Sequence, residues 1–109
     1  MSFVTIASVT ELDPDKPLAV DVDDELSVAL VLHGTEVYAI ENECSHGKVR
    51  LSEGDVVGGT IECYLHGSTF DLATGRPLNL PATAPVRVFA CRVEGGDVQI
   101  DVDATTTSF

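Results

Sequence analysis

"ECSHG" (residues 43–47) and "ECYLHG" (residues 62–67) each set a Cys close to a His and follow the His with Gly. The chain holds three Cys and three His in 109 residues, and two of each fall in these pieces. The full pattern is Cys44-x-His46, sixteen residues, Cys63-x-x-His66. Four soft or borderline ligands at short spacing suit a metal. Neither pair can enclose a metal alone, so two loops must converge and supply two ligands each. Gly47 and Gly67 remove Cβ bulk after each His and permit positive φ where the chain turns. They also leave backbone N–H groups open to acceptors.

The surroundings of the two pieces are rich in turn formers. Residues 43–85 hold Gly47, Gly54, Gly58, Gly59, Gly67 and Gly75, with Pro77, Pro81 and Pro85, a density that marks tight loops. On either side the chain reads as strands. "SVALVL" and "VYAIEN" flank a turn at Gly34, and "VRVFACRVE" and "DVQIDV" flank Gly95-Gly96, which makes two hairpins. "FVTIASV" and "PLAVDV" fit two further strands. Val98, Ile100 and Val102 alternate with Asp97, Gln99, Asp101 and Asp103, the pattern of a half-buried strand. No window carries a helical period. The expected fold is all-β, an antiparallel β-sandwich or barrel. It is one domain over residues 1–109, with a loop-rich metal-binding subdomain at about 43–85.

Composition narrows the function. A net charge of −12, from 18 acidic and 6 basic residues, argues against nucleic acid and anionic membranes, which need Lys and Arg. It is compatible with steering toward a basic patch on a protein partner. The longest apolar run, "SVALVLHG", is far short of the roughly 20 residues of a spanning helix. The N-terminus lacks the basic region of a signal peptide, so a cytoplasmic location is expected. An odd number of Cys near His in such a chain reads as metal or catalysis rather than disulfide.

Three alternatives to a cluster compete at the Cys/His quartet. Zinc accepts two Cys and two His, but its usual pairs are C-x₂₋₄-C and H-x₃₋₅-H, and mixed Cys–His pairs fit that poorly. A zinc-stabilised binding module is therefore the non-redox alternative. A Cys–His nucleophile does not call for two copies. Chance clustering of core residues does not sit well with two Cys-His-Gly pieces so close together.

The quartet resembles the Rieske [2Fe–2S] signature, C-x-H-x(15–17)-C-x-x-H. The likeness runs over residues 37–102 and includes "LPATAPVRVF". It is similar above all to the small Rieske-type ferredoxins of bacterial aromatic-ring-hydroxylating dioxygenase systems, such as those for biphenyl, naphthalene or carbazole. The resemblance implies one [2Fe–2S] cluster, with Cys44 and Cys63 on one iron and His46 and His66 on the other. It implies a Rieske-like fold with a two-loop cluster-binding subdomain, and an electron carrier rather than an enzyme. The partners would be an NAD(P)H-dependent ferredoxin reductase, a flavoprotein, and a terminal oxygenase, with no small-molecule substrate. The alternative within this fold is the Rieske-type small subunit of a nitrite reductase. A large oxygenase subunit is not expected at this length, which leaves no room for a mononuclear-iron domain.

Two imidazoles in place of two thiolates remove about two negative charges, and Rieske potentials accordingly span roughly −150 to +300 mV against about −400 mV for plant-type ferredoxins. High-potential Rieske proteins carry an extra Cys in each loop; here the second-loop position is Leu65 and the first loop has none. Phe70 stands where they have a Tyr that hydrogen-bonds the cluster, while Ser68 is kept. The expectation is the low end of the range, with Ser68 raising the potential modestly. Gly47, Gly67, Ser68, Phe70 and Pro81 are thus expected around the cluster, Pro81 with Ala82 and Pro85 in a covering loop. Lys48, Arg50 and Tyr64 are candidates for partner docking, although Tyr64 could equally pack inside. Cys91 reads as a buried structural thiol and His33 as a surface residue.

Overall fold

The computed structural model describes residues 3–44, 49–64, 67–80, 82 and 84–105. Nine strands form among them. They are β1 (Val4–Ser8), β2 (Leu18–Asp21), β3 (Ser27–His33), β4 (Glu36–Glu41), β5 (Val56–Val57), β6 (Thr60–Glu62), β7 (Thr69–Asp71), β8 (Val88–Glu94) and β9 (Asp97–Thr105). One sheet has six strands in the order β1-β9-β8-β4-β3-β2, the other three in the order β5-β6-β7. Every pairing within them is antiparallel. The all-β expectation holds: the helical turns among the described residues are two 3₁₀ turns, Val9–Glu11 and Leu51–Glu53. No helix among the described residues is long and apolar enough to cross a membrane.

The two expected hairpins form. β3 pairs with β4 from Val28↔Glu41 to His33↔Glu36. β8 and β9 meet at Gly95 and Gly96, with φ of 59° and 87°, both positive as a type I′ turn requires.

The unbroken apolar run of β3 has a structural cause. Side chains alternate in direction along a strand, and both faces of β3 are buried. Val28 and Leu30 enter one core with Ala39, Phe89, Val98 and Ile100. Ala29 and Val31 enter the other, with Ile40, Val88 and the small-sheet residues Ile61 and Phe70. Each buried Val, Leu, Ile or Phe contributes about 1.5–3 kcal/mol relative to an exposed one. The large sheet is therefore a shared wall, and its second core is the one that reaches the Cys/His loops.

One expectation needs correction. Val98 and Ile100 face inward as read, but Asp101 is buried too. The β8–β9 register shifts between Phe89 and Ala90, so that Phe89 pairs with Thr105 and Ala90 with Asp101. Such an irregularity re-aims side chains. The turned-in carboxylate of Asp101 accepts the Asp103 N–H at 3.0 Å.

The sheets place the two loops. The chain leaves β4, passes Asn42 and Cys44, and re-enters regular structure at the Leu51–Glu53 turn before β5. The second loop leaves β6 at Cys63 and returns into β7. Both loops thus grow from rigid strand ends.

Candidate metal centre

The two loops share one closure. The Cys44 N–H donates to the Val49 carbonyl at 3.0 Å, and the Cys63 N–H donates to the Ser68 carbonyl at 2.7 Å. Each bond runs from the Cys to the fifth residue beyond it, although the Cys-to-His gap differs by one. Gly67 lies inside the second closure, with its N–H on the Cys63 carbonyl at 3.0 Å. Its φ of 76° is the left-handed value that the sequence pattern anticipates.

Both thiols point into one core. Cys44 is 3% and Cys63 2% exposed, and they share a cluster with Leu51, Ile61, Phe70, Leu72 and Ala82. Two thiols from separate loops, converging in one water-excluded core at the roots of tight turns, fit a thiolate-bound iron. His46 and His66 lie outside the described residues, as do Gly47, Lys48, Leu65 and Pro81.

The remaining candidates fall on two sides of the site. Phe70 is fully buried in the same core as the cysteines. It is held opposite Ile61 in the β6–β7 pair, where it seals the loop base. Ser68 is buried, and its Oγ accepts the Ala82 N–H at 3.1 Å. The segment before β8 is therefore tied to the second loop.

A second tie went unread in the sequence. Asn79 Oδ1 accepts the Thr69 N–H at 2.6 Å and lies 2.9 Å from the Thr69 hydroxyl, while Asn79 Nδ2 donates to the Gly67 carbonyl at 3.0 Å. An Asn in "RPLNLP" reads as an ordinary loop residue, and nothing in its neighbours signals this reach.

Three large apolar side chains of this region are exposed. Tyr64 is 54% exposed, so it does not pack inside. Leu78 and Leu80, at 55% and 75%, lie in the segment that Asn79 fastens to the second loop and were not anticipated. Arg50 is exposed, with its guanidinium 3.5 Å from the Asp21 carboxylate on β2.

The third Cys and third His are elsewhere. Cys91 packs half-buried against the core of Phe89 and Ile100. Burial pushes its thiol up to about 11. His33 is partly exposed, and its Nδ1 meets the Asp15 carboxylate at 2.7 Å.

A family model described as the Rieske [2Fe–2S] domain matches residues 2–90. The ferredoxin subunit of anthranilate 1,2-dioxygenase from Burkholderia cepacia is 39% identical over 97 residues, 89% of either chain. The ferredoxin of carbazole 1,9a-dioxygenase from Nocardioides aromaticivorans superposes with a TM-score of 0.83 at 39% identity, over 92% of this chain and 97% of that one. A solved complex of reduced oxygenase and oxidised ferredoxin in carbazole 1,9a-dioxygenase contains a chain that superposes with a TM-score of 0.85 at 30% identity. That match covers 98% of this chain and 95% of that one.

Proposed function

The chain belongs to the Rieske [2Fe–2S] domain family and is an electron-transfer ferredoxin with one cluster of that type; from that premise we propose that it serves an aromatic-ring dioxygenase. It takes single electrons from a flavin-containing NAD(P)H-dependent reductase and passes them to the terminal oxygenase. Cys44 and Cys63 would hold one iron, and His46 and His66 the other. The observation that carries this reading is the convergence of two buried cysteines from two equally closed loops in one core.

The bound cluster supplies a centre that accepts and releases one electron. The chain's own residues do the rest. Leu51, Ile61, Phe70 and Leu72 keep water from the cysteine side. The loop closures at Val49 and Ser68 fix the backbone beside each thiolate. Tyr64, Leu78 and Leu80 offer an apolar rim for docking, where a small interface suits fast exchange. Lys48 and Arg50 would add cationic contacts to a partner. The net charge of −12 steers the carrier toward basic partner surfaces.

Ser68 is the residue that tunes the centre. Its Oγ accepts the Ala82 N–H, so its hydroxyl proton would be available to donate to the bound cluster. Such a bond favours the reduced, more negative state. Ser68→Ala should lower the midpoint potential by some tens of millivolts, on the order of the ~59 mV that a tenfold change means for one electron. Voltammetry measures it, and an unchanged or higher potential would remove the role.

Two mixing experiments test the function. The oxidised protein should be reduced by NADH through a flavoprotein ferredoxin reductase of an aromatic-ring system. The reduced protein should be reoxidised on mixing with the terminal oxygenase, more slowly as salt screens the charges. Failure of the first step would remove the donor assignment, and failure of the second the acceptor assignment.

A further inference from the structure

We propose that Asn42 is a positioning residue for the cluster, the staple that closes the first ligand loop; the proposal rests on the ligand reading given above. Asn42 is buried, and all four of its hydrogen-bonding groups are used to join three pieces of chain. Its backbone N–H donates to the Ser27 carbonyl at 2.9 Å, and its carbonyl accepts the Leu51 N–H at 3.4 Å. Its side-chain Nδ2 donates to Ser27 Oγ at 3.0 Å, and its Oδ1 accepts the Ser52 N–H at 2.7 Å. The Ser52 N–H can only donate, so the orientation of the amide is set.

The consequence falls on residues 43–50. That stretch carries Cys44 and His46 and is bounded by Asn42 at one end and by the Leu51–Glu53 turn at the other. The Cys44 to Val49 bond closes the loop near its tip; Asn42 closes it at the root and anchors the root to the start of β3. Leu51, fully buried in the core that also takes both cysteines, is brought into place by the same closure. No residue other than Asn or Gln offers both an amide donor and a carbonyl acceptor on one side chain, and Gln is one methylene longer.

Groups bonded directly to metal ligands typically alter metal retention by roughly 10–100-fold when removed, and Asn42, one step further back, should fall at the low end. The test uses the cluster-loaded full chain and measures iron release to a chelator, together with the EPR spectrum of the reduced protein. Asn42→Ala should speed iron release by about that factor and broaden the spectrum. Asn42→Ser, too short to reach Ser52, should do the same and carries the test if the alanine variant does not accumulate. Ser27→Ala removes one of the two side-chain bonds of Asn42 but keeps the bond to Ser52, so it should speed iron release clearly less than Asn42→Ala. Wild-type release and spectrum in Asn42→Ala or Asn42→Ser would overturn the proposal. So would an equal effect of Ser27→Ala, which would mark general destabilisation. A wild-type chain purified without iron would overturn the ligand reading itself, which is a distinguishable failure.

Discussion

Cys63→Ala should yield a chain without iron, colour or one-electron chemistry. Cys63 lies 2% exposed in the core that also takes Cys44, and its loss leaves the proposed ligand set one thiolate short. Alanine fits a site occupied by a small apolar side chain, so the sheets should still form. Thermal stability should fall nevertheless, because metal binding and folding are coupled in such centres. Cys91→Ala is the matched control and should keep full iron content. Burial holds the Cys91 thiol up at about 11, so it stays protonated at neutral pH, and only the thiolate binds metal. Iron and sulfide analysis with visible absorption checks both variants. A coloured, iron-loaded Cys63→Ala protein would refute the assignment of that ligand.

Gly75→Ala should be strongly damaging although it lies away from the ligands. Gly75 adopts φ of 74°, and a Cβ there would stand 2.0 Å from the Val86 carbonyl oxygen. That oxygen is backbone and cannot rotate aside. Gly75 also receives the Val86 N–H on its own carbonyl at 3.0 Å and donates its N–H to Asp71 at 2.7 Å. It joins the turn after β7 to the strand entry of β8. The left-handed conformation costs an L-residue about 1–2 kcal/mol, and forced overpacking about 1–3 kcal/mol more. A loss of ~2–5 kcal/mol should lower Tm by at least about 10 °C in a chain of this size. Gly34→Ala, with φ of 63° but nothing within 4 Å of its Cβ, should show the conformational cost alone. Calorimetry on the two variants separates the terms, and a Gly75→Ala melt no lower than that of Gly34→Ala would contradict the close approach.

What could be read from the sequence was whatever restricts residue identity. Metal ligation admits few side chains, so the proposed ligands Cys44, His46, Cys63 and His66 stood out by type and spacing. The hairpin turns stood out because Gly34, Gly95 and Gly96 supply positive φ. The continuous run of β3 gave a strand but not its reason, since two-sided burial depends on which sheets flank it. Asp101 broke the expected alternation because a register shift in β8–β9 has no signature in either strand alone. Asn42 and Asn79 were invisible for a different reason. Asn is common in loops, and its partners Ser52 and Gly67 lie ten and twelve residues away. Leu78 and Leu80 read as loop filler, because exposure is decided by how the segment is fastened. The zinc alternative, open on spacing alone, falls with membership of the Rieske family.

The most direct test of the central claim is pulsed EPR on the reduced protein labelled with ¹⁵N at histidine. The chain offers three His, and His33, at the end of β3, is engaged with Asp15. Two strongly coupled nitrogens, both lost in a His46→Ala, His66→Ala double variant and both kept in His33→Ala, are the predicted result. No coupled nitrogen, or a coupling that disappears with His33, would contradict a cluster held by His46 and His66.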